Sequence, residues 1–225
     1  MRIASEGWRL LMPPLVFLLL AFLLGWFFGV SAVQVGAACA AFFLLLLLLF
    51  FRDPERKVPE GKGLVLAPCD GKVLLAEEGN SSGSEGRVAI FMSVLDVHVN
   101  RNPVTGVIRT IQRHRGGFHH AASREAIREN TSITVRASTD FGEVTWMQVA
   151  GSLARRISCR LKEGQAVIAG QRFGLIYLGS RMEVRLPHCV RIRVKPGQRV
   201  KAGLTILGEV SLRVPCCEDL HMLSP

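Results

Sequence analysis

The chain has 225 residues, 49% of them hydrophobic, and a formal net charge of +10. That length accommodates one good-sized domain plus an appendage. With a single Tyr and no aromatic-interleaved basic motif, the basic balance disfavours RNA or DNA and favours an anionic membrane surface.

From Leu10 to Phe51 there is no Asp, Glu, Lys, Arg or His in 42 consecutive residues. As helix this run would extend roughly 63 Å at ~1.5 Å per residue, about twice a hydrocarbon core of ~30 Å. It predicts a transmembrane helical hairpin turning around Gly29–Gln34; a single span plus an interfacial helix is the other reading. The run is too long for a cleaved signal peptide. Arg2 and Arg9 precede it and Arg52, Arg56 and Lys57 follow, so the positive-inside rule places both ends, and everything after Phe51, in the cytoplasm. Residues 1–57 are thus expected to anchor the chain, and 58–225 to form the functional domain.

Past the junction, short β-prone runs alternate with turn signals: Leu64–Leu66, Lys72–Ala76, Arg87–Met92, Gly106–Ile111, Ser132–Arg136, Val144–Val149 and Met182–Leu186. This spacing predicts a mainly β domain, a sandwich or barrel. Gly79–Gly86 reads as a hairpin loop and Ala122–Asn130 as the one helix or ordered loop. EGQAVIAGQRFG (163–174) and PGQRVKAGLTILG (196–208) share G-Q-x-V-x-A-G, a strand-turn repeat like that of biotinyl and lipoyl carrier domains, without the lysine tip of a carrier. The six cysteines (39, 69, 159, 189, 216, 217) show no C-x-x-C spacing, and a cytoplasmic domain is expected to keep them reduced.

Three stretches carry polar residues that local structure does not demand. APCDGKV holds Asp70 in an Asp-Gly turn; FMSVLDVHVNRNP holds Asp96, His98, Asn100 and Arg101; GGFHHAA holds His119 and His120. No metal site is expected, because no third and fourth ligand stand at sensible spacing. LIYLGSRMEVRLP breaks an apolar run with Gly179-Ser180. A bend is the ordinary reading of such a glycine. If Asp70, His98 and Ser180 converge, they form an acyl-transfer constellation, and a serine behind a glycine can attack the carbonyl of that glycine.

Together, FFRDPER, APCDGKV, FMSVLDVHVNRNP, VAGSLARRI and FGLIYLGSRMEVRLP resemble the short-form phosphatidylserine decarboxylase proenzyme family, from the hydrophobic run to about Gly208. The resemblance implies self-cleavage between Gly179 and Ser180. His98, oriented by Asp70, would take the Ser180 hydroxyl proton. The ester so formed would eliminate to dehydroalanine and then a pyruvoyl group. The products would be a β chain (1–179) and an α chain (180–225) that stay associated as a heterodimer, with further homo-oligomerisation open. The pyruvoyl cofactor would form a Schiff base with phosphatidylserine in an anionic membrane, releasing CO2 and phosphatidylethanolamine. Asp96, Arg101, His119 and His120 are the candidate substrate contacts. The chain departs from the family at Cys69, at His119-His120 and at Arg101, where longer forms carry a second His. A non-cleaving, membrane-anchored binder of acidic phospholipid is the alternative.

Overall fold

The computed structural model describes residues 2–3, 8–28, 31–80, 84–117, 119, 123, 129–152, 156–177 and 179–210. The chain divides into two compact units, 1–55 and 56–225. The boundary falls after Glu55 rather than after Lys57, and Arg56 is held to Asp70 and Ala202 of the second unit.

In the first unit, strand β1 (Arg2–Ile3) pairs antiparallel with β2 (Arg52–Asp53). Between them lie helices α1 (Trp8–Phe28) and α2 (Ser31–Phe50), which pack on each other. The expected turn is shorter than the sequence suggests: α2 begins at Ser31 and includes Gln34. Among the described residues no helix is long and apolar enough to cross a membrane. The transmembrane part of the expectation therefore finds no support here.

The second unit is mainly β and antiparallel, a sandwich- or barrel-like arrangement as expected. Its strands are β3 (Leu64–Leu66), β4 (Gly71–Glu77), β5 (Gly86–Met92), β6 (Val99–Arg101), β7 (Gly106–His114), β8 (Ser132–Thr139) and β9 (Gly142–Val149). There follow β10 (Ile157–Cys159), β11 (Ala166–Val167), β12 (Arg172–Ile176), β13 (Ser180–Leu186), β14 (Val190–Ile192), β15 (Arg199–Val200) and β16 (Ile206–Val210). An eight-stranded sheet runs β11-β7-β8-β9-β13-β5-β4-β15, with smaller sheets β10-β12-β6 and β14-β16-β3. Successive side chains on a strand face opposite ways. Met182, Val184 and Leu186 thus share the face of Ser180 and join the core. Trp146 of β9 meets Phe173 of β12 edge-on, ring centroids 6.0 Å apart, which packs the large sheet against a small one. The connection between β4 and β5 is the expected hairpin loop. The Ala122–Asn130 expectation lies outside the described residues apart from Ser123, Glu129 and Asn130.

The repeat organises this unit. Its first copy contributes β11 and β12 and its second β15 and β16, so β11 and β15 edge the large sheet at opposite ends. The two copies also bond alike. Lys162 N donates to Gln165 Oε1 (3.0 Å) as Lys195 N does to Gln198 Oε1 (3.1 Å). Gly164 N donates to Ile108 O as Gly197 N does to Val73 O, each at 2.8 Å. Gly170 N reaches Asn102 O as Gly203 N reaches Ala67 O, again at 2.8 Å. The partner segments 67–73 and 102–108 are thereby a second, unanticipated pair. Leu66 N donates to Pro103 O and Arg101 N to Pro68 O, the reciprocal exchange that an approximate two-fold axis produces.

The reduced state expected of the cysteines holds for Cys39, Cys69 and Cys159, which are free thiols; Cys189 is disulfide-bonded. Cys216 and Cys217 lie outside the described residues.

Candidate active site

Ser180 opens β13 at the centre of the large sheet, opposite Met92 of β5, and its neighbour Arg181 faces Val149 of β9. The strand phase turns Ser180 inward, where it is fully buried. Its Oγ has no hydrogen-bond partner among the described residues, and neither does the buried Gln148 Oε1. Buried polar atoms are nearly always paired, so such exceptions point to chemistry. Gly179, just before the strand, has φ of +62°, and a Cβ placed there would touch nothing within 4 Å. Only glycine enters that conformation freely.

Three buried polar side chains lie on β9, on β6 and on the residue leading into β6. Gln148 Nε2 donates to Asn100 Oδ1 at 2.9 Å, and Asn100 Nδ2 reaches Met92 Sδ at 3.9 Å. His98, two residues before Asn100, is fully buried, with Nδ1 2.8 Å from the carbonyl of Asp96. When Nδ1 carries the proton and donates to that carbonyl, Nε2 is left with its lone pair as a base. The carboxylate of Asp96 closes the turn by accepting from Ser93 N (2.9 Å) and also accepts from Arg199 Nη1 (2.8 Å).

Asp70 keeps other company. Its carboxylate accepts from Arg56 Nη1 and Nη2 at 2.5 and 2.8 Å and from the amide of Ala202 at 2.8 Å. Arg56 Nη1 also donates to Ala202 O at 2.7 Å. The Ala202 contact is the repeat-mate of one in the other half, where Ala169 N donates to Thr105 Oγ1 at 3.0 Å. Nδ1 of His98 thus meets a backbone carbonyl, and Asp70 ties residue 56 to residue 202. Beside it, burial and the charges of Asp70 and Asp96 push the Cys69 thiol well up.

Arg101 is buried and donates to Gly170 O at 3.0 Å, at the seam between the two repeats. His119 lies half-exposed, with Nε2 2.7 Å from Glu129 Oε2. Asn130, fully buried, clasps the His119 backbone through both amide atoms and donates to Ala150 O at 2.8 Å. That staple brings His119 to the end of β9, beside the start of β13. His120 lies outside the described residues. Among the described residues there is no group of three or more His, Cys, Asp or Glu able to hold a metal. Gln148 and Asn130 escaped the sequence reading; the available signal for Gln148 was a polar residue in phase with the inward Val144 and Trp146.

Residues 43–208 match the family model described as phosphatidylserine decarboxylase. The chain belongs to the phosphatidylserine decarboxylase family. Among curated relatives, the phosphatidylserine decarboxylase proenzyme of Chlorobaculum tepidum is 41% identical over 93% of this chain and 98% of its own length. Proteins of the same name from Wolbachia sp. subsp. Brugia malayi and Cupriavidus metallidurans are 38% and 36% identical, over 93% and 94% of this chain and 91% and 96% of their own. Family membership gives the orphaned Ser180 hydroxyl a chemical context.

Proposed function

We propose that this chain is a phosphatidylserine decarboxylase that matures by cutting its own backbone between Gly179 and Ser180. The observation that carries the proposal is a buried serine hydroxyl with no partner among the described residues, directly behind a left-handed glycine. In the maturation step His98 Nε2 takes the hydroxyl proton. Ser180 Oγ attacks the unshielded carbonyl of Gly179, and the peptide bond is exchanged for an ester that eliminates. The Cβ, Cα and carbonyl carbon of Ser180 would become the pyruvoyl group, its nitrogen leaving as ammonia while water supplies the ketone oxygen, and the open space at Gly179 together with buried, polar Asn100 and Gln148 fits a small carbonyl group there. That group, once formed, supplies a carbonyl electron sink for the pair of electrons left by departing CO2. His98 then holds the proton to be returned to the substrate α-carbon, and the product is phosphatidylethanolamine. The Arg56–Asp70–Ala202 clamp holds the small chain to the large one.

We further propose that residues 1–57 anchor the protein in the cytoplasmic membrane with the β domain on the cytoplasmic side. Phe22, Trp26, Phe27, Phe42 and Phe43 are exposed on α1 and α2, apolar surface of the kind that lipid covers.

Intact mass under denaturing conditions tests the central claim. Two species split at 179/180, the smaller lacking a free amino terminus, are expected, with Ser180→Ala giving one uncut, inactive chain. A single mass for the unaltered protein, with binding to acidic lipid but no decarboxylation, would overturn it in favour of the non-cleaving homologue.

A further inference from the structure

We propose that the turn Ser93–Asp96 is a docking corner by which the β domain seats itself on an anionic phospholipid bilayer, beside His98. The turn is closed at both ends: Asp96 N donates to Ser93 O and Ser93 N to Asp96 Oδ2, each at 2.9 Å. Its two corner residues are Val94, 40% exposed, and Leu95, 72% exposed. Turn corners ordinarily carry Gly, Pro, Asn, Asp or Ser, which suit the backbone and water. Here two aliphatic side chains at a corner present apolar surface outward.

Around the corner the charge is basic. Arg199, its side chain 73% exposed, reaches back to Asp96 Oδ1. Lys72, exposed, stands opposite Arg199 in the β15–β4 register, and exposed Lys195 and Lys201 flank β15. Against one Asp96 carboxylate this leaves an excess of three positive charges. An apolar tip with Arg199 at its base and exposed lysines on and around the adjoining β4–β15 edge matches the boundary between acyl chains and anionic headgroups, where apolar burial and basic attraction add. The chemistry of the tip selects a bilayer over a protein groove, because the charge excess accompanies only two exposed apolar side chains. The corner is also wired to the site, since the carbonyl of Asp96 fixes His98 Nδ1. Seating the corner on lipid therefore sets the height of His98 and Ser180 above the headgroups.

The inference rests on the proposed function for its purpose, but its test does not. The full chain carrying Leu95→p-benzoylphenylalanine is placed in vesicles of phosphatidylglycerol and phosphatidylcholine and irradiated. A lipid mass is expected on the tryptic peptide 88–101. The same photoreactive residue at Val107, exposed on β7 toward the other end of the large sheet, is expected to give about a tenth as much or less, because it lies away from the Ser93–Asp96 turn. Equal yields at the two positions, or no lipid adduct at 95, would overturn the docking. Separately, the double substitution Val94→Ser with Leu95→Ser should raise KM for vesicular phosphatidylserine about tenfold, through lost apolar burial, while activity on a monomeric short-chain analogue stays unchanged. Equal loss on both substrates would mean that the turn only shapes His98, and would also overturn the docking. A lipid adduct at 95 in a chain that decarboxylates neither substrate would support the docking and sink the proposed function.

Discussion

At the scale of single residues, the site depends on a few buried polar atoms. His98→Ala removes the base whose tautomer the Asp96 carbonyl sets. The expected outcome is an uncut chain, read by mass, with maturation slowed at least ~100-fold, the usual size of general-base assistance. Asp70 acts differently. Its side chain and that of Arg56 are both largely buried in their ion pair, and removing one partner of such a pair costs about 3–5 kcal/mol. Asp70→Ala and Arg56→Ala should each lower unfolding stability by roughly that amount, and the double variant should lose far less than the sum. Additive losses in a denaturant titration would mean that the clamp is not the source of the effect.

At the scale of elements, the repeats rest on glycines that no other residue replaces equally well. Gly164 and Gly203 have φ of +77° and +68°, yet a Cβ at 164 meets nothing within 4 Å whereas one at 203 lies 2.9 Å from Arg101 Cδ. Gly164→Ala should therefore cost only the left-handed strain, about 1–2 kcal/mol. Gly203→Ala should cost more, since it also pushes on buried Arg101 at the seam. Thermal unfolding of the two variants makes the comparison. The element that would begin at the proposed cut is β13, which pairs with β5 from Ser180 to Leu186 and with β9 from Arg181 to Arg185. On its outer face buried Glu183 accepts from Arg87 at 2.8 Å and Arg181 at 3.3 Å, with Arg185 at 3.9 Å. Burial pulls the Arg181 guanidinium down while Glu183 holds it up.

At the scale of the molecule, a cut at 179/180 leaves both products woven into one sheet. The small chain supplies β13 at the sheet centre and β15 at its edge. The two chains should co-purify through high salt and part only in denaturant; release of the small chain in salt alone would contradict this topology. Stability should also fall with rising pH. The Cys69 thiol, raised by burial and by Asp70 and Asp96, keeps its proton where the unfolded chain, with a thiol pKa of roughly 8.5, gives it up. Its stabilising contribution is present below that value and is lost as pH climbs above it. The melting temperature should drop through the alkaline range more steeply than that of Cys69→Ala.

The strands were legible because alternation of apolar and polar residues is a local property, and Val144, Trp146, Met182 and Val184 show it within a few positions. The Gly179-Ser180 interruption was legible for the same reason, as was the uncharged 42-residue run. The sequence by itself determined the mainly β class, the repeated G-Q-x-V-x-A-G segments and the serine proposed to carry the chemistry. Only the tertiary structure decided who touches whom. Asp70 finds Ala202 across 132 positions and Arg56 across 14, and Gln148 finds Asn100 across 48. Side-chain partners are chosen by the closure of the sheets and by the approximate two-fold of the repeats. Asp70, which the family resemblance makes the orienter of His98, accepts from Arg56 and from the backbone amide of Ala202, because the fold brings those donors to it.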